Sequence, residues 1–136
     1  MKKVLLLGLL SGAVMLVLGM AISYLFMISP QVRADYYDAN IMRPWSDPVM
    51  SLYFLYPFVL GVALAWFWNK AKGLFAGSWT KRGFSFGVLM LVISVIPGML
   101  VSYSSFPLSL LTIISWLVGG FVNAVVAGMI FAKWNG

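Results

Sequence analysis

Four long apolar runs, none containing a charge, divide the chain: Val4 to Ile28, Val49 to Asn69, Gly83 to Phe106 and Leu108 to Ala132. The first holds 25 residues, about 37 Å of helix at 1.5 Å per residue, enough to cross a bilayer with some tilt. The runs are continuously apolar rather than alternating, so they predict helices and not the strands of a barrel. The pattern therefore predicts an all-α integral membrane four-helix bundle, a single membrane domain over 1–136. Its spans are 4–28, 49–69, 83–106 and 108–132, with an outer loop at 29–48 and an inner loop at 70–82. Asp47-Pro48 and Phe106-Pro107 place proline at a first helical position, where its missing N–H costs nothing. Lys2 and Lys3 before an apolar run, with Gly19-Met20-Ala21 further on, have the look of a secretory signal. The run continues past that point to Ile28, which favours a retained first span.

Composition agrees with lipid as the main solvent. Only 9% of the residues are charged, against about a quarter in ordinary soluble domains. The net charge of +6 comes in short clusters between apolar runs, a membrane-orientation pattern rather than a nucleic-acid face. Lys2, Lys3, Lys70, Lys72, Lys81, Arg82 and Lys133 fall on one side with no acid; Arg33, Arg43 and all three acids fall on the other. Basic segments stay cytoplasmic. Both termini are thus expected inside, in the inner membrane of a prokaryote. Aromatic belts fit this orientation, with Tyr24, Tyr36, Tyr37, Trp45, Tyr53, Tyr56 and Tyr103 at the outer interface. Trp66, Trp68, Trp79, Phe84 and Trp134 mark the inner one. The chain has no Cys and no His, which removes thiolate chemistry and the usual zinc, haem and iron–sulfur ligation. No cofactor is expected.

An internal repeat underlies the four spans. Gly19-Met20-Ala21-Ile22-Ser23-Tyr24 matches Gly98-Met99-Leu100-Val101-Ser102-Tyr103 at an offset of 79, which also aligns Gly8 with Gly87 and Lys3 with Arg82. The second and fourth spans align at an offset of 63, Phe58-Val59 against Phe121-Val122 and Lys70 against Lys133. Two parallel-repeat helical hairpins would produce this. The offsets differ by 16 residues, so the outer loop is the part that a plain bundle does not need.

Candidate sites have a structural reading beside each functional one. Gly8 and Gly12, and the stripe Gly120, Ala124, Gly128 and Ala132, suit close helix packing, either inside the bundle or against another subunit. No ionisable residue lies within a span, which weighs against an ion-coupled transporter. Asn123, near mid-depth, is expected to hydrogen-bond across helices, with ligand contact the alternative. Pro97-Gly98 predicts a kink inside the third span. In the outer loop Arg33, Asp35, Asp38, Arg43, Trp45 and Asp47 make either an interfacial cap with Arg–Asp pairing or a recognition surface. Without a nucleophile arrangement, acid–base catalysis through the carboxylates is the weaker reading. Lys70, Lys72, Lys81 and Arg82 set topology and suit anionic lipid headgroups.

The glycine-rich first helix ending in Gly19-Met20-Ala21-Ile22-Ser23-Tyr24, the Phe58-to-Trp68 helix end, and Gly83 with Gly87 resemble a group of small bacterial four-span proteins of unknown function. That resemblance implies the four-span architecture and no activity. The expectation from sequence is a non-catalytic membrane subunit or scaffold that associates with other membrane proteins or with itself. Membrane lipids are further partners; nucleic acid is not. The alternative is a protein that binds or transports a lipid or uncharged solute, with Pro97, Gly98 and Asn123 lining a cavity.

Overall fold

The computed structural model describes residues 1–136 and contains five helices and no strand. In chain order they are α1 (Lys2–Phe26), α2 (Pro30–Tyr37), α3 (Pro48–Leu74), α4 (Trp79–Ser105) and α5 (Leu110–Trp134). All but α2 are long and apolar enough to cross a membrane. The chain is therefore a four-helix membrane bundle with a fifth, short helix in its long loop. Both termini and most of the basic residues lie at one end, here the basic end; Asp35, Asp38 and Asp47 lie at the other, the acidic end.

The helix starts follow local chemistry. Asp47 accepts from the Val49 N–H at 2.9 Å with Pro48 at the first position, as expected. Pro107 does not open α5. The chain stays non-helical to Ser109, whose hydroxyl accepts from the Thr112 N–H at 3.3 Å. A side-chain cap satisfies an orphan N–H, which Pro107 has no means of doing. The third span also begins earlier than the charge-free run suggests, at Trp79, because Ser78 caps it by accepting from Lys81 N–H. Lys81 and Arg82 are thus helical, and the expected inner loop shrinks.

Glycines set the closest helix approaches. A Cβ on Gly8 would lie 2.5 Å from the Val62 backbone, and one on Gly12 2.7 Å from that of Phe58. Gly61 answers from α3 against Gly8 and Gly12. In the second hairpin Gly87 faces Val125 and Gly83 faces Met129 in the same way. Gly8 with Val62 and Gly87 with Val125 are related by the offsets of 79 and 63, so the repeat seen in sequence is a repeat of contacts. The α5 stripe is also internal. Ala124, Gly128 and Ala132 are buried, Gly128 lies against Gly83 and Phe86, and Gly120 lies against Val95. Most of the stripe is thus spent on packing within this chain, and only its Gly120 end, half-buried, borders open space.

Around the bundle α3 packs on α1, α1 on α5, and α5 on α4. The remaining seam, α3 to α4, is filled only at the basic end. There Trp68 and Phe86 meet edge to face at 5.4 Å, and Phe67, Phe75 and Phe131 complete the cluster. Trp68 is not the interfacial anchor its position suggests. It is fully buried, stacks on Phe75, and donates from Nε1 to the Asn135 carbonyl at 3.2 Å. Toward the acidic end α4 passes through a π-turn, Leu91–Val95, and then runs as Ile96–Ser105 with no buried residue. The break thus begins one turn before Pro97, where proline clashes with the preceding turn and leaves a carbonyl free.

Candidate functional site

The long loop is built around α2. Ser29 precedes it and Pro30 opens it, a start signal legible in the sequence but masked by the polar run that follows. Val32 is fully buried and anchors the helix. Arg33 donates from Nε and Nη2 to the Met27 carbonyl at 3.3 and 3.1 Å, holding the end of α1. Asp35 Oδ2 accepts from Ser109 N, Ser109 Oγ and Thr112 Oγ1 at 2.9, 2.7 and 2.5 Å, holding the start of α5. Tyr36 accepts from Trp116 Nε1 at 2.7 Å. α2 therefore bridges α1 and α5 across their shared seam.

Arg–Asp pairing, expected of the loop as an interfacial cap, occurs once. Arg43 Nη1 meets Asp47 Oδ2 at 2.9 Å, while Arg33 and Asp35 bond to backbone and hydroxyl groups instead. Asp38 accepts from its own neighbour, the Asn40 N–H, at 2.9 Å. Burial raises the Asp35 pKa, but its hydrogen bonds from Thr112 and Ser109 outweigh that and leave it below the ordinary aspartate value. The Val49 N–H, and then Arg43, lower that of Asp47. Each carboxylate thus has its own separate partners. Ser109 and Thr112 were not apparent as partners from sequence, because 74 to 77 residues separate them from Asp35.

Beneath the loop lies a chamber of about 300 Å³. α1 contributes Met20, Ser23 and Tyr24, and Met27 follows at its end; α2 contributes Tyr36 and Tyr37. Met42, Arg43 and Trp45 come from the loop, Met50 and Tyr53 from α3, and Trp116 from α5. Trp45 is locked edge to face on Tyr53 at 5.4 Å. Polar groups on the wall are hydroxyls, two indole N–H groups and the Arg43 guanidinium, which is also paired with Asp47 just outside the wall. Such a wall offers donors to acceptor oxygens, while the methionines adapt to an apolar body. The sequence marks Arg43 and Trp45 in this chamber but not its four methionines, because Met20, Met27 and Met50 look like ordinary span and Met42 is a lone apolar residue in the loop.

A second, smaller space of about 130 Å³ lies in the open seam, between Tyr56, Pro57, Leu60 and Leu64 of α3 and Met90, Ser94 and Val95 of α4. Met15, Gly120, Asn123 and Ala124 form its floor. Asn123 lines this groove, but Oδ1 is buried without a hydrogen-bond partner; the cross-helix bond expected of it is not made through that atom. Pro97 and Gly98 are exposed and do not line the groove. Gly98 has open space around it. At the basic end Lys70 and Lys81 are exposed, as headgroup contacts require. Lys72 and Arg82 are partly withdrawn: Lys72 Nζ reaches Asn135 at 3.4 Å, and Arg82 lies 5.2 Å over Trp68 and donates to the Lys72 carbonyl at 3.2 Å.

Fold and cavities together define a multi-pass, all-helical membrane protein with a roofed chamber at one end and a lateral seam beside it. No family model, curated protein or solved structure matches the chain.

Proposed function

We propose that this chain is a non-catalytic membrane protein that holds an amphiphile in the chamber beneath its long loop. The chamber itself carries the reading: apolar and aromatic over most of its wall, with several tyrosine hydroxyls and the Arg43 N–H groups not engaged by Asp47 as donors. It suits a lipid whose head presents phosphate or ester oxygens and whose apolar body packs against methionine. The groove lies one helical turn further along α3 and α5, Tyr53 to Pro57 and Trp116 to Gly120, and offers room for a chain below the head. The basic bias supports cytoplasmic termini and a chamber at the outer face of a prokaryotic inner membrane. The separate structural partners of Asp35, Asp38 and Asp47 support a binding role over acid–base catalysis.

Native mass spectrometry in dodecyl maltoside with added phosphatidylglycerol tests this. One lipid per chain should be retained, and M50W, which fills the chamber, should cut retention at least tenfold. Equal retention by M50W and the parent chain would overturn the proposal. A second reading, a subunit of a larger membrane assembly, is favoured by one observation, the buried acceptor of Asn123 beside an unfilled seam. A polar residue on a neighbouring helix would satisfy it. The same spectra report it as a stable oligomer or a copurifying chain.

A further inference from the structure

The two seams of the bundle are repeats of one another, and only one is closed. In the closed seam, α1 against α5, a Cβ on Gly19 would lie 3.6 Å from Asn123 Nδ2, and one on Gly119 would lie 4.0 Å from Ile22. The offsets of 79 and 63 carry Gly19 and Ile22 to Gly98 and Val101 on α4. They carry Gly119 and Asn123 to Tyr56 and Leu60 on α3. The α4 segment thus keeps the glycine, serine and tyrosine of a packing surface, yet a Cβ on Gly98 would meet nothing within 4 Å, and Ile96–Ser105, which rests on α5, has no fully buried residue.

We propose that the α3–α4 seam is a gate. The Ile96–Ser105 segment closes onto α3 and seats Gly98 against Leu60 as Gly19 is seated against Asn123. The hinge is at hand in the π-turn Leu91–Val95 and in Pro97, which has no N–H to give to the preceding turn. The moving segment carries no polar group that needs the open state. Ser102 Oγ donates to the Gly98 carbonyl at 2.9 Å and Ser104 Oγ to that of Val101 at 2.9 Å, bonds internal to the segment. Bulk explains why the open state is the one observed. Where the closed seam has Gly119-Gly120, α3 has Tyr56-Pro57, so closure requires the Tyr56 ring to turn aside. Closing fills the groove beside Leu60, and, resting on the amphiphile reading, it would regulate room for the ligand's chain.

The absence of native cysteine makes disulfide trapping in phosphatidylglycerol-containing proteoliposomes a clean test. The pair G19C/N123C reports the closed seam, G98C/L60C the gate, and L100C/L60C the opposite face of α4. Copper-phenanthroline should link the first pair fully, the second at least tenfold more than the third, and all within one chain. V101C/Y56C, the counterpart of Ile22 and Gly119, repeats the test with different residues should the first gate pair fail to fold. No gate disulfide while G19C/N123C closes would overturn the proposal, as would a dimer formed through G98C alone, which puts a second copy in the seam. The trapped gate should retain phosphatidylglycerol at least tenfold less, with recovery on reduction. Trapping without that loss would overturn the link to binding while supporting closure, and M50W tests the chamber separately.

Discussion

The α1–α5 seam and the α3–α4 seam descend from the same pattern and have come to opposite ends. In the first, a glycine on each helix receives a larger side chain from the other: Gly19 lies against Asn123, and Gly119 against Ile22. α2 then staples its acidic end, with Arg33 on the last turn of α1 and Asp35 on the first of α5. In the second seam the α3 positions are bulky, no helix covers the end, and α4 loses regularity at the π-turn. What holds it is the aromatic cluster at the basic end. In lipid there is no hydrophobic drive to close a gap, so a seam closes only where backbones approach or large side chains fill the space. The 16 residues by which the first loop exceeds a plain hairpin therefore have a mechanical role as well as roofing the chamber.

The largest effect should come from removing what closes the second seam. Phe86 is fully buried and touches the rings of Phe67, Trp68, Phe75 and Phe131. F86A should cost about 3–5 kcal/mol, measured by reversible unfolding in mixed micelles. A loss of 1 kcal/mol or below would show that the seam does not depend on this cluster. The glycine pair gives the sharpest contrast at the next scale. G19L forces a side chain into the closed seam and should cost about 1–3 kcal/mol. G98L meets open space and should stay within about 0.5 kcal/mol. Equal costs for the two would mean that the seams are equally packed, contrary to the structure. A smaller change, Y36F, removes the acceptor of Trp116 Nε1 and should cost about 0.5–1.5 kcal/mol, with a shift in Trp116 emission.

Much of this difference was legible in sequence, and the rest was not for identifiable reasons. The spans, the duplicated hairpins and the Asp47 cap follow from charge-free runs, fixed offsets and a residue two positions from its partner. Trp68 lies deeper than its place in the sequence suggests, because an interfacial tryptophan and a buried one have the same neighbours in sequence; only Asn135, near the C-terminus, supplies its acceptor. The α5 stripe read equally well as an inner or an outer face, since small residues serve both. Gly98 looked like a kink lining a cavity, whereas the backbone change precedes it and the glycine faces open space. Asp35 stood among the loop charges, and its three donors lie at the start of the last helix.

Asp35 supplies the finest test, because it acts on the staple that the second seam lacks. Its folded pKa is lowered from 3.8, so the ionised form is favoured by folding. A depressed carboxylate contributes stability above its unfolded pKa and loses it as pH falls through the folded value. Titrating from pH 6 down past 3.8 should thus weaken the hold of α2 on α5 while the aromatic cluster stays intact. The carboxylate is largely solvent-screened, so the loss should be about 1 kcal/mol or below. The readout is the rate of G19C/N123C disulfide trapping, paired with that of G98C/L60C, each normalised for thiolate at its pH. D35N should flatten the acid dependence of the first pair and leave the second unchanged. A parallel acid response in both pairs would mean that α2 does not act on the closed seam alone, and the staple would have to be assigned to the bundle as a whole.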